Sequence, residues 1–537
     1  MTKYSKFLIL PCILMFVASC TNLDENLKSE ITQDINIPGI SRPGAGGPAT
    51  DAINSAFAEL RNSGTAYHSA YYSVQEISSD EQCIATKGGD WFDGGILIEL
   101  HRHTYNATHG FITNAWNSSY GAINTCNELI ANPALDAGQK AQVRALRAYF
   151  YMRLCDMFGR VKLITTPRVD APQVSRLEVY KFVEKELLES IGITEVSPTM
   201  DLSRSPLGEA PSQYRMTRWA ALGILAKLYL NAEVYSGTAE WNKAATAAGY
   251  IIDRGPYRIC GANCKVTNLW RRPSVTSDPA ELTGYAAVFA ANNENNPENI
   301  LTVEYDEARA GGMNFSQMNL HYSSQFTYNF QDQPWNGYAT LEEFYNNYAQ
   351  NDARRVASFL VGPQLDFGGS AVLDYASDDG NLVLDYTPKI NELVPNSKRE
   401  AGARAAKFSY KQFGRPDMDN DYPIVRLGEM YLIRAEGLAR ARSNWNDADV
   451  LTAANVIRQR AGVPAYTAGQ LNADEFLKER GREMFVEGVR RTDLIRFGQF
   501  NKAWWEKPAS PASRNLFPIP QSAINAPNSG LTQNPGY

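Results

Sequence analysis

Histidine is scarce in this chain, with five in 537 residues, and so is cysteine, with seven. Cys260 and Cys264 are spaced C-x3-C in "YRICGANCKV", but no second pair of that kind stands beside them to complete a metal site. A small disulfide loop and two free thiols are both open there. Positive charge is also in short supply: 52 Lys and Arg face 58 Asp and Glu, for a net charge of −6. That balance argues against nucleic acid as a partner, because a phosphate backbone calls for a basic footprint. Past residue 17 no run is apolar enough to cross a bilayer. With 44% hydrophobic and 20% charged residues, bulk disorder is excluded too.

The N-terminus carries its own signal. Lys3 and Lys6 precede an apolar run from Phe7 to Phe16, and Val17-Ala18-Ser19-Cys20 follows. The run is too short for a membrane span and reads as an export signal over residues 1–19. "VASC" looks like a bacterial lipobox, which would make Cys20 the lipidated first residue of the mature chain. Membrane contact would then come through lipid alone. Five cysteines remain after Cys20, and an odd count excludes complete internal pairing. Residues 20–50, rich in Gly and Pro ("IPGISRPGAGGP"), suit a lipidated tether. Residues 51–537 read as a single domain with three parts: 51–256, 257–425 and 426–537.

The pattern within that domain is mostly helical. In "QKAQVRALRAYFYMRLCDMFG", Val143, Leu146, Tyr149, Phe150 and Leu154 recur at three- and four-residue steps, and Gly159 reads as the stop. "MTRWAALGILAKLYLNAEVY" opens with Trp219-x2-Leu222-Gly223, the start of a tetratricopeptide unit, with Ala226 where the motif prefers Tyr. A partner helix follows at "EWNKAATAAGYIIDRG". "YPIVRLGEMYLIRAEGLARAR" with "NDADVLTAANVIRQRAGVP" predicts a second pair, and "ADEFLKERGREMFVEGVRRTDLIRFG" begins a third. Such pairs stack to bury a shared core. Between 257 and 425 the texture turns loop-rich, with short strand-like pieces such as "ILTVEY". Long loops on a helical frame carry function more often than the frame does.

Aromatic residues gather in those loops. Residues 285–348 hold thirteen, about twice the average density, many beside Ser, Gln, Asn and Asp. Residues 67–120 hold nine more, with four of the five histidines. In "KGGDWFDGG" the glycines predict an exposed turn that presents Trp91, with Phe92 facing inward as its anchor. A pyranose has an apolar C–H face and a hydroxyl rim, so an aromatic face beside amides and carboxylates suits it. Any single ring in such a loop more often packs the loop onto the body, with Trp91 and Trp335 the best exceptions.

Five blocks resemble the SusD-like (RagB/SusD) family of outer-membrane nutrient-binding lipoproteins from Bacteroidetes. They are the lipobox, "LRAYFYMRLCDMFGRVKLIT", the helices near Trp219, "DYPIVRLGEMYLIRAEGLARA", and "REMFVEGVRRTDLIRFGQF" with the tail "NLFPIPQSAINAPNSGLTQNPGY". The resemblance implies tetratricopeptide-like helix pairs as a scaffold and a loop-rich glycan-binding face. It also implies a SusC-like TonB-dependent transporter as partner and a lipid-anchored, outward-facing place on the outer membrane. By position it points to Asp80 and Trp91 in one segment and to Tyr322 and Trp335 in another; Asn336, beside Trp335, completes the expected carbohydrate-binding set. A SusD-like lid for peptides is the alternative occupant of the same fold.

Other chemistries have weaker support. Asp80, Glu81, Asp90 and Asp93 could supply a glycosidase pair, but clustered loop acids are usually solvated, and the resemblance implies binding without hydrolysis. On a strand, His101-x-His103 would aim both rings to one side with His109 near by, yet no further ligand pattern supports zinc. "NNENNPEN" and "DMDND" offer oxygen donors suited to calcium without the spacing of a defined loop. No cofactor, metal site or catalytic residue is therefore expected.

Overall fold

The computed structural model describes residues 52–537, apart from 310, 378, 379, 381 and 416. Cys20, the leader and the tether lie outside the described residues. Within them the fold is mostly helical with short two-stranded sheets. In chain order the helices are α1 (Asn54–Asn62), α2 (Tyr71–Glu76), α3 (Ile96–Arg102), α4 (Gly110–Ala131), α5 (Ala137–Met157), α6 (Arg176–Ile191) and α7 (Arg218–Leu230). After α8 (Ala232–Ser236) and α9 (Trp241–Arg254) comes the loop-rich stretch; α10 (Leu427–Ala441), α11 (Ala448–Arg460), α12 (Ala473–Met484) and α13 (Arg490–Arg496) follow it. Four strands matter below: β1 (Gln82–Ile84), β2 (Asn299–Val303), β3 (Tyr338–Thr340) and β4 (Tyr422–Arg426).

Side-chain caps set several of the helix starts. Asp136 with Gln139 and Ser175 with Glu178 form reciprocal capping boxes, and Thr217 accepts from the Ala220 amide. Gly159 follows α5 in the left-handed conformation, as its position as a stop requires. Each long helix packs on the next: α4 on α5, α5 on α6, α6 on α7, α7 on α9, α9 on α10 and α10 on α11. Two glycines permit the closest approaches. A Cβ on Gly223 would run into Val425, and one on Gly437 would stand 2.7 Å from the Trp241 carbonyl oxygen. The glycine of the Trp219 motif is thus a packing requirement.

Helix α5 is buried far beyond one face. Arg147 donates to Glu186 and Asn127, and Arg153 donates to Ser63 while its guanidinium lies 3.7 Å from the Tyr71 ring centroid. The helix expected from Tyr422 begins instead at Leu427. Residues Tyr422–Arg426 pair antiparallel with β2, because β-branched Ile424 and Val425 suit a pleated strand. The third helix pair is short: α12 ends, the chain turns through left-handed Val486 and Gly488, and α13 begins.

That turn is the centre of a buried ion network. Arg426 donates to Glu298 (3.0 Å), Glu483 (2.7 Å) and Glu487 (2.7 Å). Arg354 reaches Glu479 and Glu483, and Arg460 reaches Glu298 and Glu483. Lys407 joins through Glu487, and Arg480 and Arg496 both reach Asp493. Burial works against ionising Glu483, but Arg460, Arg426 and Arg354 outweigh it and hold the carboxyl at about 2.

Cys260 and Cys264 form a disulfide, while Cys83, Cys126 and Cys155 are buried thiols. The two calcium-like stretches bond to each other: Asn293 donates to the Asp421 carbonyl and accepts from the Asp421 amide, both at 2.9 Å. Arg426→Gln would leave three buried carboxylates short of a partner and is expected to destabilise the fold by about 3–5 kcal/mol. A urea unfolding midpoint equal to the wild type would mean that the network does not lock this part of the molecule.

Candidate functional site

Strands β1 and β3 pair antiparallel, with Gln82 opposite Thr340 and Ile84 opposite Tyr338. The chain leaving β1 and the chain entering β3 therefore emerge at the same edge. Residues 87–95 and 331–337, far apart in sequence, become the two walls of one cleft. The first wall is a tight turn in which Lys87 and Asp90 exchange backbone hydrogen bonds around left-handed Gly88. The second is fixed by its main chain: the amides of Trp335, Asn336 and Gly337 donate to the carbonyls of Gln317, Leu320 and Met318.

The walls are joined by two side chains. Trp91 Nε1 donates to the Trp335 carbonyl at 2.8 Å. Buried Lys87 donates through Nζ to the carbonyls of Ala85 and Gly337, both at 3.1 Å. Burial, and then the Arg404 charge, push the Lys87 ammonium well below the usual lysine range. Gly337 is where the Trp91 ring comes to rest, since a Cβ there would stand 2.8 Å from Cζ2. Trp91 itself adopts φ +63°, an unusual conformation for a bulky residue.

Between the walls lies an open cleft of about 710 Å3, within the range of small-ligand sites. Trp91, Trp335, Tyr322 and Tyr375 supply its rings, and Asp90, Asp93, Gln333 and Arg399 its polar groups. Tyr322 donates to Asp90 Oδ2 at 2.5 Å, and Arg399 Nη1 donates to the same oxygen at 3.0 Å. Burial and the Asp90 carboxylate together raise the Tyr322 phenol, so it remains a protonated donor. Tyr375 donates to Gln333 Oε1 at 2.9 Å.

Behind the tryptophans stands His68. Its ring meets Trp91 edge-on at 5.5 Å between centroids, Phe111 at 5.1 Å and Trp335 at 6.3 Å. Its Nδ1 lies 3.0 Å from the Tyr338 hydroxyl. Burial lowers His68 to about 4, so the brace is a neutral imidazole at neutral pH.

Three of the five carbohydrate-binding residues expected from the sequence, Trp91, Tyr322 and Trp335, meet in this cleft. Two do not. Asp80 is held away from it by Arg490, which donates to both carboxylate oxygens at 2.6 and 2.8 Å. Asn336 is fully buried, in a left-handed conformation that asparagine tolerates, with its side chain in the interior. Phe92 was expected to face inward but is 51% exposed. Its backbone is helical (φ −74°, ψ −46°) and follows a left-handed residue, so the alternation of extended chain does not apply.

The histidines part company too. His101 sits in α3 and His103 caps it, rather than sharing a strand. Their Nε2 atoms, and that of His109, meet the carbonyls of Trp505, Ser78 and Ile96 respectively. Among the described residues no group of His, Cys, Asp or Glu is placed to hold a metal. Most rings of 285–348, including Tyr285, Phe315, Tyr328 and Tyr338, are buried and pack loops onto the body. Sequence reasoning missed Tyr375 and Arg399 as cleft residues and His68 as the brace behind them. Only the clustering of His68 with nearby aromatics hinted at its role.

A family model described as the SusD family matches residues 284–537, and one described as starch-binding associating with outer membrane matches 57–230. The chain is 26% identical over 453 residues to the starch-binding protein SusD of Bacteroides thetaiotaomicron, covering 74% of this chain and 73% of that protein. Among solved structures, a laminarin-binding SusD-like protein aligns with a TM-score of 0.66 at 22% identity, over 90% of this chain and 98% of its own. Surface glycan-binding protein A from Bacteroides thetaiotaomicron, in complex with laminarihexaose, gives 0.63 at 20% identity, with 90% and 98% covered.

The His68 brace is testable through its titration. Because the folded ring is harder to protonate than the unfolded one, its contribution to stability is full above about pH 6.5 and falls as the pH drops towards 4. NMR of histidine-labelled protein is expected to place its midpoint near 4. A midpoint near 6.5 would mean a solvated ring that braces nothing.

Proposed function

Because the chain belongs to the SusD/RagB family, we propose that it is a surface glycan-binding protein of the outer membrane that holds sugar in the cleft between residues 87–95 and 331–337. The observation that carries this reading is the pair of tryptophans braced from behind by His68 and faced by the Asp90–Tyr322–Arg399 cluster. Ring faces attract the C–H side of a pyranose, while Asp90 accepts from hydroxyls and Arg399 donates to them. The cleft is open rather than enclosed, which suits a chain that runs on past the site. The role is capture without cleavage, as in a binding protein rather than a hydrolase.

Two further parts of the proposal rest on sequence. Acylation of Cys20 anchors the protein in the outer membrane, facing outward, and a SusC-like TonB-dependent transporter receives the captured oligosaccharide. The lipobox and the five matching blocks support both.

The cleft is tested in affinity gels containing starch or laminarin, the glucans bound by the relatives named above. Trp91→Ala and Trp335→Ala are each expected to weaken retention about 2- to 10-fold, with helical content close to wild type and a lower melting temperature where the walls lose their join. Retention that survives the double replacement would overturn the proposal. Cys20→Ser is expected to abolish palmitate incorporation in growing cells. Label that persists would rule out this anchor.

A further inference from the structure

The exposed apolar side chains near the cleft do not all lie inside it. Tyr375, 48% exposed, forms part of the cleft and also meets Phe326, 50% exposed, edge-on at 6.2 Å between centroids. The Phe367 amide donates to the Phe326 carbonyl at 3.0 Å, which places Phe367 next along the surface. Phe367 in turn meets Phe413 at 5.1 Å, and Phe413 is 59% exposed. Two ring pairs, Tyr375–Phe326 and Phe367–Phe413, are thus joined through the Phe326–Phe367 backbone contact into one patch that starts at the cleft.

The outer end of the patch is held in place at a cost. Phe413 has φ +59°, a left-handed conformation that strains a bulky side chain. Its amide donates to the Tyr328 carbonyl at 3.0 Å, and Gln331 Nε2 donates to its own carbonyl at 3.3 Å. A ring that only filled space would be turned inward. Here the backbone is fixed so that the ring stays in water.

We propose that the glycan surface continues beyond the cleft, from Tyr375 over Phe326 and Phe367 to Phe413, as an aromatic ramp that holds the next stretch of a long polysaccharide. This rests on the cleft reading above. Two features favour sugar over a protein partner. The ramp shares Tyr375 with the cleft, so a chain leaving one enters the other. Its two ring pairs also lie beside exposed Gln331, Asp332 and Gln333, whereas the centre of a protein interface is a desolvated apolar patch. Phenylalanine has no hydroxyl to direct, so the ramp grips C–H faces without reading linkage, and selectivity stays in the cleft.

The test compares short and long ligands on the full chain. Wild type, Phe326→Ala/Phe413→Ala and Trp91→Ala/Trp335→Ala are run in laminarin and starch gels and titrated with laminaritriose and maltotriose. The ramp variant is expected to keep trisaccharide affinity within about twofold and to lose polymer retention by about fivefold or more. The cleft variant is expected to lose both. Unchanged polymer retention in the ramp variant would overturn the ramp and leave the cleft standing. Equal loss of trisaccharide and polymer would overturn it as well, since the rings would then be shaping the cleft. If the ramp variant keeps its polymer but loses co-purification with an outer-membrane partner, the patch is a protein-docking surface and the proposal is wrong. A wild type that retains neither glucan would remove the glucan reading of the cleft, and the ramp with it.

Discussion

Glu483 is fully buried and shared among Arg354, Arg426 and Arg460, and no water can substitute for any of the three. A buried carboxylate with such partners tolerates little displacement, because moving one guanidinium strands charge in a medium that cannot screen it. The partners come from distant places: Arg354 from the loop-rich stretch, Arg426 from the end of β4 and Arg460 from the end of α11. One side chain therefore fixes the relative position of three parts of the chain. Just beyond it, the Val486 amide donates to Glu81 and the Gly488 amide to Glu76, while Arg490 holds Asp80. The acids immediately before β1 are roots, and the cleft's first wall grows from them.

This gives Asp80 a role quite unlike the expected one. An aspartate upstream of an exposed tryptophan loop reads as a ligand contact, and in sequence nothing separates the two roles. The partner that decides it, Arg490, is 410 positions away. The helix-forming stretch "REMFVEGVRRTDLIRFG" hides its pairing in the same way: Glu483, Arg490, Arg491 and Asp493 are among the most buried side chains. Local composition reports charge; only the fold reports pairing.

What the sequence did make legible was periodic or motif-bound. The helices around Val143, Trp219 and Ala448 follow from spacing, the stop at Gly159 from residue type, and the strand at 299–303 from its apolar run. The start of α10 was missed because Tyr422–Arg426 fits a helix by hydrophobic spacing, and strand pairing with β2 decides otherwise. Trp91, Tyr322 and Trp335 could be picked from loops rich in glycine and amides. Tyr375 and Arg399 could not, since neither stands in any local pattern and each reaches the cleft through the tertiary path of its loop.

The hydrogen bond from Trp91 to the Trp335 carbonyl spans 244 residues of chain. Contacts of such separation close late, after the loop entropy between them has been overcome by the surrounding structure. A growing or partly folded chain thus has one tryptophan wall long before it has the other, and its roots at Asp80 wait longer still for Arg490. The cleft is a property of the finished molecule alone. An incomplete chain has no half-strength version of the cleft, so the two walls and completion of folding are bound to the same event.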